Sequence, residues 1–413
     1  MNTKFTLLGG ALLAFAGMGA VTTAEAQTVR WGDGAPRMQD PDGNIQFKVR
    51  GRIMMDAVAA EQDFGATAND LDVFNTRLRR ARLGVQGQFD SKFKYTAEVT
   101  LLGSGTATWE DVFLEYNTGF GSLVLGQQKV GSPLEESTSS TNIAQMERSM
   151  MIEAFGFGRV MGVGAIFGGQ ENWRISAFLN GDSLNNADVL NNGTVDEQTA
   201  ILLHGHYAPL AEKTKMVHLG GTVRFRDGGN DAAGTLRARA RAGSNVFSTR
   251  QVDVGSAAAN QFVEDTFYGV EAATIMGPFW ASAEYGVLQG DGVTAASDAD
   301  FTSYNLQAGF FLTGESRGYS ARTGTFGRTT PNAPVFEGGM GAWELRARYD
   351  YLDLDDGLID GGEATSYTLG VNWQPAKNVR FMGEYVTTEI EKRTAATNNG
   401  DVDVIQFRAQ FDF

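Results

Sequence analysis

Cysteine is absent from this chain, proline occurs only 8 times in 413 residues, and histidine 3 times. Without cysteine there is no disulfide, so an exported chain of this size has to be held by its own packing or by lipid. Long apolar runs are missing as well. Beyond the first 26 residues nothing approaches the roughly 18 apolar residues of a membrane helix, and the mean hydropathy is −0.22. Positive balance is also lacking: the formal net charge is −15, which argues against nucleic acid as a general partner. Scarce proline beside 11 % aromatics excludes a proline-rich disordered chain.

The exception to the missing apolar runs is the start, MNTKFTLLGGALLAFAGMGAVTTAEA. Lys4 is followed by a small, apolar run from Phe5 to Val21. Ala24-Glu25-Ala26 then gives the small-x-small pattern of a signal-peptidase site. Residues 1–26 are therefore expected to be a cleaved signal peptide, with Gln27 opening a single domain over 27–413.

What is abundant is glycine, 52 residues, nearly twice the usual share of about 7 %. Together with a sequence period of two, it points to long strands joined by flexible turns. Ile45, Phe47, Val49 and Ile53 share one face, while Gln46, Lys48, Arg50 and Arg52 share the other. Phe93, Tyr95, Ala97 and Val99 oppose Lys92, Lys94, Thr96 and Glu98. Trp343, Leu345, Ala347 and Tyr349 oppose Glu344, Arg346, Arg348 and Asp350. Continued along the chain, the alternation gives about sixteen segments, centred near 50, 83, 97, 112, 124, 164, 176, 203, 221, 270, 283, 307, 347, 370, 383 and 408. Longer connections are expected at 182–198, 227–260, 290–300, 315–340 and 391–401, and tight turns at Gly277-Pro278 and 375–378.

One soluble core cannot easily cover the inner faces of so many strands. A transmembrane antiparallel β-barrel removes the problem by closing the sheet and turning its apolar face to lipid. An all-β barrel of sixteen strands is the fold this pattern supports best. Trp173, Trp280, Trp373, Tyr351 and Tyr385 would form its interfacial girdles.

The opposite faces then line a lumen, and they are rich in cations: Lys48, Arg50, Arg52, Arg80, Arg82, Lys92, Lys94, Arg174, Arg224, Arg226, Arg346, Arg348 and Arg408 share inward parity. In TRLRRARLG, Arg77, Arg79, Arg80 and Arg82 fall within six residues. A regular strand cannot present all four on one face, so a bulge or strand end is expected there. LRARAR places Arg237, Arg239 and Arg241 on one side of an extended segment. Guanidiniums so stacked repel one another as packing but hold an anion through charge-assisted forked hydrogen bonds. The competing reading is that they only pair with inward Glu98, Glu284, Glu344, Asp350 and Glu384. The stretch 129–158 is too long for a plain turn and is expected to fold into the barrel as a constriction loop.

Several stretches resemble the phosphate-selective porin O and P family: RLRRARLGVQG (77–87), WEDVFLEY (109–116), FFLTGESRGY (310–319), GAWELRARYDY (341–351) and YTLGVNWQPAKNVRFMGEYV (367–386), with a loop ending in Gln145-Met146-Glu147-Arg148. The resemblance runs in order over most of the chain. It implies a 16-stranded outer-membrane barrel in bacteria, assembled as a homotrimer and passing small anions through an arginine-lined eyelet. Under it, Arg52, the pair Arg79 and Arg80, and the ladder Arg237, Arg239 and Arg241 correspond to selectivity arginines. Asp111 corresponds to a lumen aspartate, and Ser139, Ser140 and Arg148 to the constriction loop. Glu136 departs from the pattern, standing where phosphate-specific members carry a lysine. A carboxylate there would repel phosphate and pair with nearby arginines.

Other signals are weaker. His204 and His206 share a strand face but have no fixed third ligand, so they read as polar filling. The acidic stretch 353–363 lacks calcium-loop spacing, since Gly357 comes one position early for Asp353, and reads as a solvated outer loop that could meet divalent ions among lipopolysaccharides. No motif places a Ser/His/Asp triad, and no cofactor or metal is implied. The expected function is passive diffusion of small anions, phosphate among them, across the outer membrane. The alternative is a general porin with weak or cation preference, and a third class is a barrel without conductance. The terminal VIQFRAQFDF (404–413) has Ile405, Phe407, Ala409, Phe411 and Phe413 on one face and Arg408 on the other. It is expected to close the sheet against the strand near residue 50, and its last aromatic resembles the signal read by the barrel-assembly machinery.

Overall fold

The computed structural model describes residues 28–413 except 33, 65–69, 103–106, 130, 170–171, 186–195, 230–234, 256, 258–259 and 394–398; the expected signal peptide lies outside them. Two short strands, β1 (Thr28–Gly32) and β2 (Ala35–Gln39), form a hairpin at the start. The wall follows: β3 (Gln46–Asp63), β4 (Leu71–Phe89), β5 (Phe93–Thr100), β6 (Thr108–Asn117), β7 (Gly121–Lys129), β8 (Arg159–Gly168), β9 (Trp173–Asn180), β10 (Thr199–Ala211), β11 (Lys215–Asp227), β14 (Phe262–Met276), β15 (Phe279–Gly292), β16 (Ala299–Phe311), β19 (Ala342–Asp356), β20 (Ile359–Ala376), β21 (Val379–Glu391) and β22 (Gly400–Asp412). Each pairs antiparallel with its neighbour, and β22 closes on β3 from Asp401↔Asp63 to Asp412↔Arg52. The sheet is thus a closed barrel of sixteen strands, and every expected centre lies inside one of them. Among the described residues no helix is long and apolar enough to cross a membrane.

Alternation here is inside-out relative to a soluble protein. Phe407 and Leu369 point outward and are 59 % and 64 % exposed, whereas inward Glu98 and Arg408 are 0 % and 2 % exposed. The terminal strand behaves as its sequence implies. The Phe413 N–H donates to the Gly51 carbonyl and Gly51 returns the bond, both at 3.0 Å. The Phe413 ring lies so close that a Cβ on Gly51 would come within 2.5 Å of it. Below this seam β3 runs on toward Gln46, and β2 pairs with that exposed edge through Arg37↔Lys48 and Gln39↔Gln46. Deleting Phe413 should therefore lower the amount of folded barrel in outer-membrane fractions several-fold while leaving the conductance of assembled channels unchanged. Wild-type levels of the truncated chain would contradict this.

Aromatic girdles mark two levels. Trp343, Trp373 and Phe381 stack with centroids 5.5 and 5.4 Å apart at the end carrying the termini, and Tyr304, Tyr351, Tyr349 and Tyr367 cluster toward the other. Trp280 is not among them, contrary to expectation. It shares inward parity with Glu284, is fully buried, and packs against Phe326 inside the barrel.

Beyond the tyrosines the polarity of the wall reverses. Outward positions become acidic, with Asp353↔Glu363 and Glu363↔Glu391 directly opposed. Inward positions become apolar: Val58, Phe262, Phe301, Leu352, Ile390 and Val402 join one buried cluster. The acidic stretch 353–363 is accordingly a hairpin and not a loop. Leu354 and Ile359 face in together with the preceding Leu352; Asp353 and Glu363 face out, and Leu358 is exposed at the turn. The connection 312–341, which carries β17 (Gly318–Ser320) and β18 (Thr325–Gly327), lies at the end of the termini, where the other turns are short. It folds up into the lumen, where Phe326 and Tyr319 pack among Leu134, Ala144 and Trp280.

Candidate functional site

The connection after β7, which carries α1 (Leu134–Ser137) and α2 (Met150–Ala154), turns into the lumen. Buried backbone demands partners, and the wall supplies them. Glu271 and Glu284 accept the Leu134 and Glu135 N–H groups at 2.7 and 3.1 Å; Glu384 and Asp350 accept those of Met146 and Met150 at 3.1 and 2.9 Å. Arg380, Arg348 and Arg408 donate to the Ile143, Glu147 and Met146 carbonyls at 2.9, 2.9 and 2.6 Å. Much of the polar lining of β14–β22 thus holds the loop and does not face solute. Arg346 pairs with Glu384 and Gln145, and Arg408 makes a bidentate pair with Asp56 at 2.7 and 2.8 Å.

A second connection, between β11 and β14, follows the first inward. It carries β12 (Arg239–Ala240) paired with β13 (Val252–Asp253). The arginine ladder sits on it and not on the wall. Ala238, Ala240 and Ala242 pack into the apolar cluster beside Met151 and Phe155 of the first loop. Arg237, Arg239 and Arg241 alternate with those alanines and take the opposite face. Arg237 holds Asp253 at 2.6 Å, Arg241 pairs with Glu153 of α2, and Arg239 has no ion-pair partner among the described residues. Fully burying an apolar side chain contributes about 1.5–3 kcal/mol, so this core fixes the ladder firmly.

Opposite the loops, two bulges double the charge on the wall. Met54 pairs with Arg80 and Met55 with Leu78, leaving Arg79 as an extra residue. All four arginines of TRLRRARLG consequently turn inward, and the expected bulge is present. On β6 the pairing jumps from Ala97↔Val112 to Val99↔Trp109, which turns both Glu110 and Asp111 inward. Arg159 bridges them, at 2.8 Å to Glu110 and 2.7 Å to Asp111. Glu98 is shared by Arg50, Arg52 and Arg82 at 3.0, 3.3 and 3.7 Å. Arg52 also donates to Ser139 and Ser140 at 3.2 and 2.9 Å, joining three residues expected to act together. Glu136 is buried and held by Arg148 at 2.7 Å and Lys129 at 3.0 Å, so its charge is matched locally. Lys129, Glu110 and Arg159 belong to this cluster although no motif singles them out.

Arg79, Arg80, Glu136, Arg148 and Arg241 meet around one space of about 280 Å³ with Glu147 and Arg348. Asp111, Arg237 and Arg239 lie outside it. Glu147 takes a bidentate pair from Arg79, 2.8 Å on each oxygen, and Arg408 at 3.0 Å. Burial alone would raise its carboxyl, but Arg79 and Arg408 outweigh burial and hold it well below the usual carboxylate range. A depressed carboxyl gives its stabilisation above the unfolded value, near 4.3, and loses it only as pH falls through the folded value. The Arg79–Glu147 anchor should therefore hold at pH 5 as at pH 7, and Glu147→Gln should enlarge the single-channel step at both. A variant with the wild-type step at pH 5 would show that Glu147 does not anchor the loop.

Arg80 differs from its neighbours. It is 6 % exposed, has no carboxylate within ion-pair distance among the described residues, and donates Nη1 to the Met54 sulfur at 3.6 Å, leaving Nε without a partner. His204 and His218 both reach Glu271, at 2.9 and 3.1 Å, and no group of metal-binding geometry forms among the described residues.

Residues 47–413 match the family model described as phosphate-selective porin O and P. A protein of Caulobacter vibrioides without assigned function is 31 % identical, covering 94 % of this chain and 78 % of its own. Porin O of Pseudomonas aeruginosa is 28 % identical, covering 95 % and 94 %. Among solved structures, an anion-selective porin from Comamonas acidovorans superposes with a TM-score of 0.57 at 13 % identity, over 89 % of this chain and all of its own, a likeness of fold.

Proposed function

From the premise that the chain belongs to the phosphate-selective porin O and P family of outer-membrane porins, we propose that it conducts small anions passively, phosphate among them, through an arginine-lined slot between the two inward loops and the β3–β8 wall. One observation carries the reading: Arg80 is buried and unpaired, and it faces a space of about 280 Å³ shared with Arg79, Arg148 and Arg241. A buried guanidinium without a counter-charge is costly, and a passing anion supplies one. Arg237, Arg239 and Arg241 lead toward this point, and Arg52 with Ser139 and Ser140 follows it. A ladder of moderate sites lets an ion enter and leave again. No bond is made or broken and no cofactor takes part. Phosphate titrated into chloride should block the current through the purified protein in a concentration-dependent way; a chloride current indifferent to phosphate would remove phosphate from the reading.

A second reading has its own support. Glu98, Glu110, Asp111 and Glu136 engage Arg50, Arg52, Arg82, Arg159, Arg148 and Lys129, so most lumen cations are already compensated. That favours a general porin with weak selectivity, and the reversal potential under a potassium chloride gradient separates the two. Export through a cleaved signal peptide over residues 1–26 and assembly as a homotrimer complete the proposal. A mature chain beginning at Gln27 and a threefold cross-linked species from intact membranes would support these.

A further inference from the structure

The unpaired cations are not confined to the slot. Arg317 follows β16 in the inward periplasmic segment. Its guanidinium lies over the rings of Trp280 and Phe326, 3.9 and 3.6 Å from their centroids, and donates to the Asn142 carbonyl at 3.1 Å. Arg380 of β21 donates to the adjacent Ile143 carbonyl at 2.9 Å and to Gln410 at 3.0 Å. Each is 6 % exposed, and neither has a carboxylate within ion-pair distance among the described residues. Arg317 Nη1 and Arg380 Nε are buried without a hydrogen-bond partner.

Both arginines line one cleft at the periplasmic end of the lumen, with Glu344 and Asp412 also on its walls. Neither carboxylate is within ion-pair distance of Arg317 or Arg380, although the Glu344 charge acts on both through space. Glu344 accepts from Trp280 Nε1 at 2.6 Å and from Asn372 at 2.7 Å, and Asp412 pairs with Arg328. Carbonyl oxygens and ring faces carry only partial charge, and Glu344 offsets at most one of the two desolvated guanidiniums, so the pair remains short of an anion. The cleft offers about 20 Å³, room for one monatomic ion or a water beside the two guanidiniums.

We propose that this cleft is a resident halide site, occupied by chloride between Arg317 and Arg380, and that the ion ties the periplasmic segment 312–341 to the tip of the constriction loop. The two arginines hold successive carbonyls, Asn142 and Ile143, of the same loop tip, so an ion shared between them fixes both elements together. The site does not rest on the conduction reading, because its ion is held and is not in transit.

Crystals of the detergent-solubilised protein soaked in bromide test it directly. An anomalous peak between the Arg317 and Arg380 guanidiniums is expected; its absence there, with density for water alone, would overturn the proposal. In solution, the temperature at which the barrel loses its compact electrophoretic form should be higher in chloride than in gluconate of equal ionic strength. Arg317→Gln and Arg380→Gln should abolish that difference, and a difference that persists in both variants would also overturn it. If neither variant folds, the bromide result on the unaltered protein decides alone. Loss of phosphate block with the bromide peak intact would count against the conduction reading and leave this one standing.

Discussion

Arg80→Gln should shift the reversal potential measured under a chloride gradient toward the cation side and weaken phosphate block by about 10- to 100-fold. The magnitude follows from charge-assisted hydrogen bonds, worth about 1.5–3 kcal/mol each, at about 1.4 kcal/mol per factor of ten. Arg80 is singled out among the arginines around the slot because its charge is uncompensated, whereas Arg79, Arg148, Arg241 and Arg348 have carboxylate partners. Arg79, one residue away, is matched by Glu147 on both oxygens, so Arg79→Gln should act chiefly on the loop. Arg80→Lys keeps the charge but loses the fork and should restore selectivity more than block. Unchanged block in Arg80→Gln would mean that the anion path runs elsewhere.

Arg408→Leu should have the second large effect, on the size of the opening. Arg408 gathers Asp56 from β3, the Met146 carbonyl and Glu147 in one buried cluster. Removing one partner of a buried ion pair costs about 3–5 kcal/mol, because the other charge is left uncompensated. Sixteen strands of backbone hydrogen bonds do not depend on this side chain, so the barrel should still form. The constriction loop should come loose, with larger and noisier single-channel steps and lower anion selectivity. Steps of wild-type size would show that the remaining clamps, Glu271, Glu284, Glu384, Asp350, Arg348 and Arg380, hold the loop without Arg408.

That contrast marks what could be read in advance. The strands were legible because lipid demands an apolar side chain at every second position, and a period of two survives even where boundaries blur. The bulge at Arg79 was legible for a steric reason: four arginines within six residues cannot share a face of a regular strand. The same signal, two adjacent charges inside a strand, stands at Glu110-Asp111 and marks the second bulge. Periodicity does not separate inward residues that meet water from inward residues that meet a loop, since both are polar. Arg346, Arg348 and Arg408 look like pore lining in the sequence and serve as loop clamps in the fold. Nor does periodicity show where the membrane stops. Above the tyrosines, Leu352 and Leu354 belong to the interior while the sequence around them reads as an acidic loop. Glu136 raised a fair question about charge, and its answer lay with Lys129, at the end of the preceding strand, whose nearness only the fold brings about.

The central claim is that an acidic chain, net −15, conducts anions because its lumen is locally basic. The reversal potential of the purified protein in a planar bilayer under a potassium chloride gradient tests it most directly. Chloride permeating faster than potassium is the predicted result. Equal permeation or potassium preference would contradict the account and leave the compensated lumen of a general porin in its place.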